Sequence, residues 1–176
     1  MTVDATLRDA VPADDAFLRR LHATTHCAGY SSLALDRAAL EALLRLQFDA
    51  QRAQYRTRFP HALDRIVVAD GAPVGRCWTA RTADELRLLD LAVAPERQRR
   101  GVAGAVLDLL LEQARDARVP LRLGVWSENA PALALYRGRG FAETVTDPGA
   151  VETSLPSGDP VGYRELEWVP MPARAS

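Results

Sequence analysis

The sequence predicts an α/β fold in which a mixed sheet of six to seven strands is flanked by helices. Short apolar runs rich in Val, Ile and Leu, typical of strands, alternate with longer segments whose apolar residues recur at helical spacing. Gly, Pro, Asp and Asn separate these segments. Because 176 residues, 48% of them hydrophobic, suffice for one core, we expect a single domain over residues 1–170 and a tail over 171–176.

Seven segments are predicted as strands and four as helices, in the order β-α-α-β-β-β-α-β-α-β-β. The strands cover residues 2–8, 63–69, 74–82, 86–93, 121–126, 141–145 and 161–169. The helices cover residues 15–28, 37–56, 100–117 and 130–137. Residues 147–160 are rich in Pro, Gly, Ser and Asp, and we expect a long mobile loop there.

Local signals mark where these elements begin and end. Pro12 followed by acidic residues is typical of a helix start, and Asp36 is the predicted N-cap of the second helix. The tetrapeptide 70–73, Asp-Gly-Ala-Pro, predicts a hairpin turn between two strands. Asn129 precedes a proline in the first turn of the last short helix, which Gly138 ends. Helix caps and turn residues therefore mark the predicted element boundaries on both sides of the central strand, residues 86–93.

Composition argues against several functional classes. The net charge of −1 does not favour a general nucleic-acid or membrane partner, and two cysteines are too few for a disulfide framework. No apolar run is long enough to cross a membrane, and the N-terminus has no apolar signal segment. The chain has no lysine, which excludes Schiff-base chemistry on that side chain. We expect a cytoplasmic protein.

The segment that follows the central strand has the pattern of an anion site. It contains the run 97–101, Arg-Gln-Arg-Arg-Gly, and leads into a helix. The first amides of a helix lack internal partners and carry the positive end of its dipole, so they bind phosphate groups. Gly101 and Gly104 leave the backbone open to a ligand, and the arginines add positive charge.

Two motifs in this part of the chain resemble those of the GNAT superfamily of acetyl-CoA-dependent N-acetyltransferases. Residues 98–103, Gln-Arg-Arg-Gly-Val-Ala, match its Gln/Arg-x-x-Gly-x-Gly/Ala signature. Residues 129–141 match the family's second motif, N-x-x-A-x-x-L-Y-x-x-x-G-F. The resemblance covers residues 63–141 well and the N-terminal third only loosely. It implies a mostly antiparallel sheet whose fourth and fifth strands splay apart around acetyl-CoA.

The resemblance also implies which residues contact coenzyme A. The loop and helix start that would hold the phosphates comprise Gln98, Arg99, Arg100, Gly101, Val102, Ala103 and Gly104. A backbone amide among Leu91, Ala92 and Val93 would donate to the oxyanion. Asn129, Ala132 and Tyr136 would lie along the pantetheine arm, and Asn129 also suits a plain N-cap.

Tyr136 matches the tyrosine that acts as the general acid in this family, and its other interpretation is a packed helix residue. The resemblance does not supply the general base. Relatives that acetylate protein N-termini have a glutamate at the position of Gly124, so that base is absent here. Asp90 on the central strand is the leading candidate, acting directly or through water, and Glu128 is a weaker one.

We therefore expect an N-acetyltransferase that transfers the acetyl group directly to a primary amine. The predicted acceptor contacts are Gln51, Gln54, Tyr55 and Trp126. The amine belongs to a small molecule or a protein N-terminus, and whether the chain forms a homodimer stays open. The alternative is a CoA-binding regulatory or interaction module of low activity on the same scaffold, which the absence of the glutamate at Gly124 favours.

Two other functions are less favoured by the residues. His22 and His26 lie four apart with Cys27 adjacent, a spacing that suits a metal, but no third ligand is evident and we expect no metal. An arginine cluster after the central strand also suits nucleic acid. The near-neutral net charge and the absence of an aromatic stripe argue against that partner.

Overall fold

A computed structural model describes residues 3–26, 35–144 and 162–170. The helices are α1 (Asp15–His26), α2 (Arg37–Arg58), α3 (Val102–Ala117) and α4 (Ala130–Arg137). The strands are β1 (Ala5–Asp9), β2 (Leu63–Ala69), β3 (Ala72–Arg81), β4 (Leu86–Val93), β5 (Leu121–Trp126), β6 (Ala142–Glu143) and β7 (Tyr163–Trp168). Short 3₁₀ turns at Pro12–Asp14 and Pro95–Arg97 precede α1 and follow β4.

The strands follow the order β1-β2-β3-β4-β5-β7-β6, which confirms the predicted seven-stranded mixed α/β fold. The chain divides into two compact units, one made of Met1–Arg81 with Leu89–Leu109 and the other of Thr82–Leu88 with Leu110–Ser176. Strand β4 and helix α3 each contribute to both. Within the described ranges, no helix is long and apolar enough to cross a membrane.

The first unit is an antiparallel meander with two helices packed on it. Strand β2 pairs with β1 and with β3, and the β2–β3 hairpin turns through Asp70 and Gly71, both with positive φ (53° and 72°), as predicted. Its apolar cluster includes Leu18 of α1, Phe48 of α2 and Ile66 of β2. These side chains lie on the faces that the helical and strand periodicities predict, so burial of the amphipathic stripes orients α1 and α2.

The second unit combines a parallel and an antiparallel pairing. Strand β5 is parallel to β4 over Leu86–Leu88 and Leu121–Leu123, and antiparallel to β7 along its whole length. Only three residues of β4 therefore join the described β5 ladder. Strand β7 also pairs with β6, and the buried side chains of β5 alternate with partly or fully exposed residues.

Some predicted boundaries were wrong. The strand predicted over residues 141–145 is only Ala142–Glu143 in the described chain. Helix α3 begins at Val102 instead of residue 100, because Arg99 (φ 60°) and Gly101 (φ 87°) have left-handed backbone that a right-handed helix does not accommodate. The predicted loop over 147–160, the tail over 171–176 and Cys27 lie outside the described residues.

Candidate active site

The segment from β4 to α3 has the geometry of an anion site. After β4 ends at Val93, a 3₁₀ turn leads to Gly101, whose carbonyl accepts the amide of Ala105 at 2.9 Å. The first amides of α3, starting at Val102, consequently have no partner inside the helix. A side chain carbon built on Gly101 would meet only the Val3 methyl at 3.6 Å. The backbone is therefore open to a phosphate group at this helix start.

The arginines and glutamine of the loop have separate roles. Arg97 forms an ion pair with Asp70 of the hairpin turn at 2.9 Å, so its charge is partly neutralised. The Gln98 amide donates to the Val93 carbonyl at 2.9 Å and closes the end of β4. Arg99 and Arg100 are exposed. Of the remaining predicted cofactor contacts at this helix start, Val102 and Gly104 are buried and Ala103 is half-buried.

Gly75 on β3 is a site residue that sequence reasoning missed. A methyl group at this position would collide with the Ala92 carbonyl oxygen and would lie 3.4 Å from Cα of Val93. The next residue of the chain, Ala94, donates its amide to the Val74 carbonyl at 2.8 Å. β3 and the end of β4 thus approach closely where we expect the oxyanion donor. The signal was available, since a glycine inside a strand often marks a close backbone approach.

Asp90 lines a small pocket between α1 and the sheet of the first unit. The pocket has a volume of about 10 Å³, room for about one water molecule, and its polar wall includes His22, His26 and Arg76. Burial raises the pKa of Asp90, and the nearby charges of Arg76 and His26 counter that shift. A carboxylate with a raised pKa is better matched to accept a proton near neutral pH than an ordinary aspartate.

The two histidines of this pocket are stacked, with ring centroids 4.1 Å apart. His22 is buried, its Nε2 has no hydrogen-bond partner, and burial lowers its pKa to about 4. It is therefore neutral at physiological pH. His26 Nδ1 lies 3.0 Å from the His22 carbonyl. Among the described residues, no group of three or more His, Cys, Asp or Glu side chains is arranged to hold a metal ion.

Arg76 is a second residue that sequence reasoning missed. It is 3% exposed, forms two hydrogen bonds of 2.8 Å to Asp64, and places its guanidinium 4.0 Å from the Trp78 ring centroid. This pairing keeps a positive charge near Asp90 without leaving it unsatisfied. An arginine inside a mostly apolar strand, with an aspartate near the start of the preceding strand of the hairpin, is a usable signal.

The three predicted acceptor contacts of α2 differ in environment. Tyr55 donates its hydroxyl to the Leu89 carbonyl at 3.0 Å and packs its ring edge-on against Trp78, which attaches α2 to β4. Gln51 is half-buried and its Oε1 is enclosed without a hydrogen-bond partner. Gln54 is exposed. Tyr55 thus lies against the sheet and Gln51 is half-buried, whereas Gln54 is exposed to solvent.

The remaining predicted site residues belong to the second unit. Tyr136 is buried on α4, with its ring centroid 5.7 Å from that of Phe141. Asn129 is the N-cap of α4, since its Oδ1 accepts the Ala132 amide at 3.2 Å. Trp126, at the end of β5, is 36% exposed, and its indole nitrogen lies 3.5 Å from a Glu128 oxygen. The plain cap interpretation of Asn129 is therefore realised.

Gly124 pairs across the ladder with Glu165 of β7. The Glu165 carboxylate binds Arg87 at 2.7 Å, and Arg87 also binds Glu85 at 2.9 Å. Glu85 in turn accepts from Arg122 of β5 at 3.0 Å. The acids of this face are therefore held by arginines, and position 124 itself carries no carboxylate.

A comparison with protein families decides the classification. The model of the acetyltransferase (GNAT) family matches residues 27–141. The chain belongs to the GNAT family. The predicted family, its acyltransferase class and its acetyl-CoA donor are confirmed at this level. The match covers both motifs, the strand–loop–helix segment and the segment that carries Tyr136.

Individual relatives match the GNAT chain over shorter stretches. Mycothiol acetyltransferase of Clavibacter sepedonicus is 36% identical over 83 residues, which are 45% of this chain and 26% of the relative. The [ribosomal protein bS18]-alanine N-acetyltransferase of Escherichia coli K12 is 41% identical over 61 residues, 34% of this chain and 41% of the relative. The matches thus span well under two thirds of these curated relatives.

A solved structure shares the fold over nearly the whole length. The paiA N-acetyltransferase of Thermoplasma acidophilum, determined in complex with coenzyme A, has a TM-score of 0.64 and 16% identity, and the match covers 94% of this chain and 99% of that one. At this identity the likeness establishes the fold alone.

Proposed function

We propose that this GNAT protein transfers the acetyl group of acetyl-CoA directly to a primary amine of a small molecule or a protein N-terminus. The observation that carries the proposal is the position of Asp90, which has a raised pKa and lies on β4, the strand that leads into the anion loop. Family membership supports the donor, and the open amides at the start of α3 suit its phosphates.

Each chemical need of the transfer has a candidate group. When bound, acetyl-CoA supplies a thioester carbonyl for attack by the amine. Asp90 accepts the proton that the amine must lose, directly or through the one water for which its pocket has room. An amide among Leu91, Ala92 and Val93 donates to the developing oxyanion. The Tyr136 hydroxyl donates a proton to the departing sulfur, as the family motif implies.

The acceptor is an amine in this proposal, but the two relatives do not identify which amine it is. The two relatives are named for different molecules, a ribosomal-protein alanine and mycothiol. Gln51, Gln54, Tyr55 and Trp126 stay our predicted acceptor contacts. We expect the protein to act in the cytoplasm on a small-molecule or peptide amine, without a nucleic-acid or membrane partner.

The test is a turnover screen of acetyl-CoA against a broad amine panel, with thiol release as the measurement. Asp90→Asn should lower kcat/KM on the best acceptor by about 100-fold or more, because general base catalysis contributes that much. Asp84→Asn is the matched control, since Asp84 is an exposed acid just before β4. Full activity of Asp90→Asn would exclude Asp90 as the base.

The second candidate is the CoA-binding module. It is favoured by the glycine at position 124, where a catalytic glutamate was looked for. It predicts that acetyl-CoA binds, as measured by calorimetry, while no amine in the panel releases thiol above the background. Binding together with turnover would exclude the module, and absence of binding would exclude both functions.

A further inference from the structure

A second pocket of the first unit is not used by the proposed reaction. Its volume is about 470 Å³, within the range of roughly 300–1,000 Å³ that small-molecule sites occupy. It lies where the chain passes from β1 to α1, beside the C-terminal half of α2. Its apolar wall comprises Ala10, Val11, Pro12 and Leu18. Val11 is 51% exposed, so an apolar surface is open to a ligand here.

Two acids line the pocket, but both are already neutralised. Asp15 binds Arg19 at 2.7 Å through one oxygen and Arg52 at 2.8 Å through the other. Asp64 uses both of its oxygens for Arg76, each at 2.8 Å. An incoming cation would have to break one of these pairs, so the acids do not make this a cation site.

The unsatisfied groups of the pocket are positive. Arg52 is held in place by Asp15 and by the Phe48 ring, 5.3 Å from its guanidinium carbon, yet its Nε is buried without a hydrogen-bond partner. Arg56, one turn further along α2, forms no ion pair with the described residues and is exposed. Two guanidiniums at helical spacing on one face offer charged, planar donors of the kind that bind carboxylates.

We propose that this pocket binds a small monocarboxylate with an apolar body. The carboxylate lies between the guanidiniums of Arg56 and Arg52, the two positively charged groups that line the pocket. The apolar body covers Val11, Pro12 and Leu18. The site is independent of acetyl transfer, because none of its lining residues is a predicted catalytic or cofactor contact.

The test uses phenylacetate as the probe, with phenylacetamide as the uncharged isostere, 2-phenylethylamine as the cation and inorganic phosphate as the anion without an apolar body. Calorimetry and thermal denaturation should detect phenylacetate alone at millimolar concentration. Binding of phenylacetamide or 2-phenylethylamine as tight as that of phenylacetate, or equal binding of phosphate, would overturn the ligand class. Absence of phenylacetate binding at about 20 mM, where even weak small ligands are detected, would overturn the site.

Two variants assign the binding to this pocket. Arg56→Gln should weaken phenylacetate binding by about tenfold, as expected for a lost charge-assisted hydrogen bond. Arg45→Gln, an exposed arginine of the same helix outside the pocket, should not change it. Val11→Asp should abolish binding, because it places a negative charge, of the same sign as the phenylacetate carboxylate, on the apolar wall. Unchanged affinity in both Arg56→Gln and Val11→Asp would refute the proposal, since both positions are exposed and neither variant should unfold the chain.

Discussion

Replacing Asp14 by Asn should destabilise the junction between β1 and α1, the helix that carries His22 and His26. The Asp14 carboxylate accepts two hydrogen bonds of 2.7 Å from Arg8 and one of 2.9 Å from the Val11 amide. The Arg8 hydrogen bonds first, and then the Val11 amide, lower the pKa of Asp14 from 3.8 to about 2. The ionised carboxylate is therefore stabilised by the fold.

The magnitude follows from this shift. A pKa lowered from 3.8 to about 2 corresponds to roughly 2 kcal/mol of stabilisation of the ionised carboxylate. The Arg8 side chain is 42% exposed, so solvent screens part of the pair. We expect Asp14→Asn to lower the free energy of unfolding by about 1–2 kcal/mol at pH 7.

The pH dependence has a definite sign. Because the folded pKa of Asp14 is below the unfolded one, its contribution is complete above about pH 4 and is lost as the pH falls toward 2. Urea unfolding of the parent and of Asp14→Asn should give a difference in the free energy of unfolding that is roughly halved at pH 3 compared with pH 7. Asp9→Asn, which changes an exposed acid at the end of β1 next to Arg8, is the control for net charge. A difference below about 0.5 kcal/mol at pH 7 would refute the argument.

Three further predictions concern the acetyl-transfer site. Gly101→Asp should abolish the rise in Tm that acetyl-CoA produces, because the added carboxylate repels the phosphates. The control is Gly71→Asp, which has a similar positive φ in open space and should keep that rise. Acetyl-CoA binding retained in Gly101→Asp would exclude the loop as the phosphate site. Tyr136→Phe should lower kcat about 100-fold or more with little change in acetyl-CoA affinity by calorimetry, and a kcat within about threefold of the parent would exclude the hydroxyl as the acid. Gly75→Ala should lower the free energy of unfolding by about 1–3 kcal/mol and reduce turnover, because the added methyl displaces the Ala92 carbonyl. A Tm equal to that of the parent would contradict the close approach of β3 to β4 at this position.

Local signals in the sequence were sufficient for most of the fold. The bounds of β2, β4 and β5 agree with the predicted ranges 63–69, 86–93 and 121–126, because each strand is a short apolar run ended by turn residues or proline. The Asp36 cap of α2 and the Asn129 cap of α4 also form as predicted, since a capping side chain bonds to the amide three residues on. Such interactions depend only on neighbours along the chain.

Family motifs predict the anion loop for a similar reason. The predicted phosphate site uses the backbone of residues 98–104, and glycine at position 101 suits the φ of 87° found there. A short sequence pattern therefore records the requirement directly. The predicted start of α3 was two residues early because helical periodicity alone does not report the left-handed backbone of Arg99.

Only the tertiary structure decided the environment of Asp90. Burial raises the pKa of Asp90, and the two charges that counter this shift, Arg76 on β3 and His26 on α1, are distant along the chain. They meet in one pocket because α1 packs on the sheet. The burial of Arg76 with Asp64, and the contact of Gly75 with Ala92, likewise depend on which strands are neighbours. Hydrophobic periodicity shows which face of an element is buried. The pKa of a carboxylate depends in addition on the charges that long-range packing brings near it, and no local pattern encodes that packing.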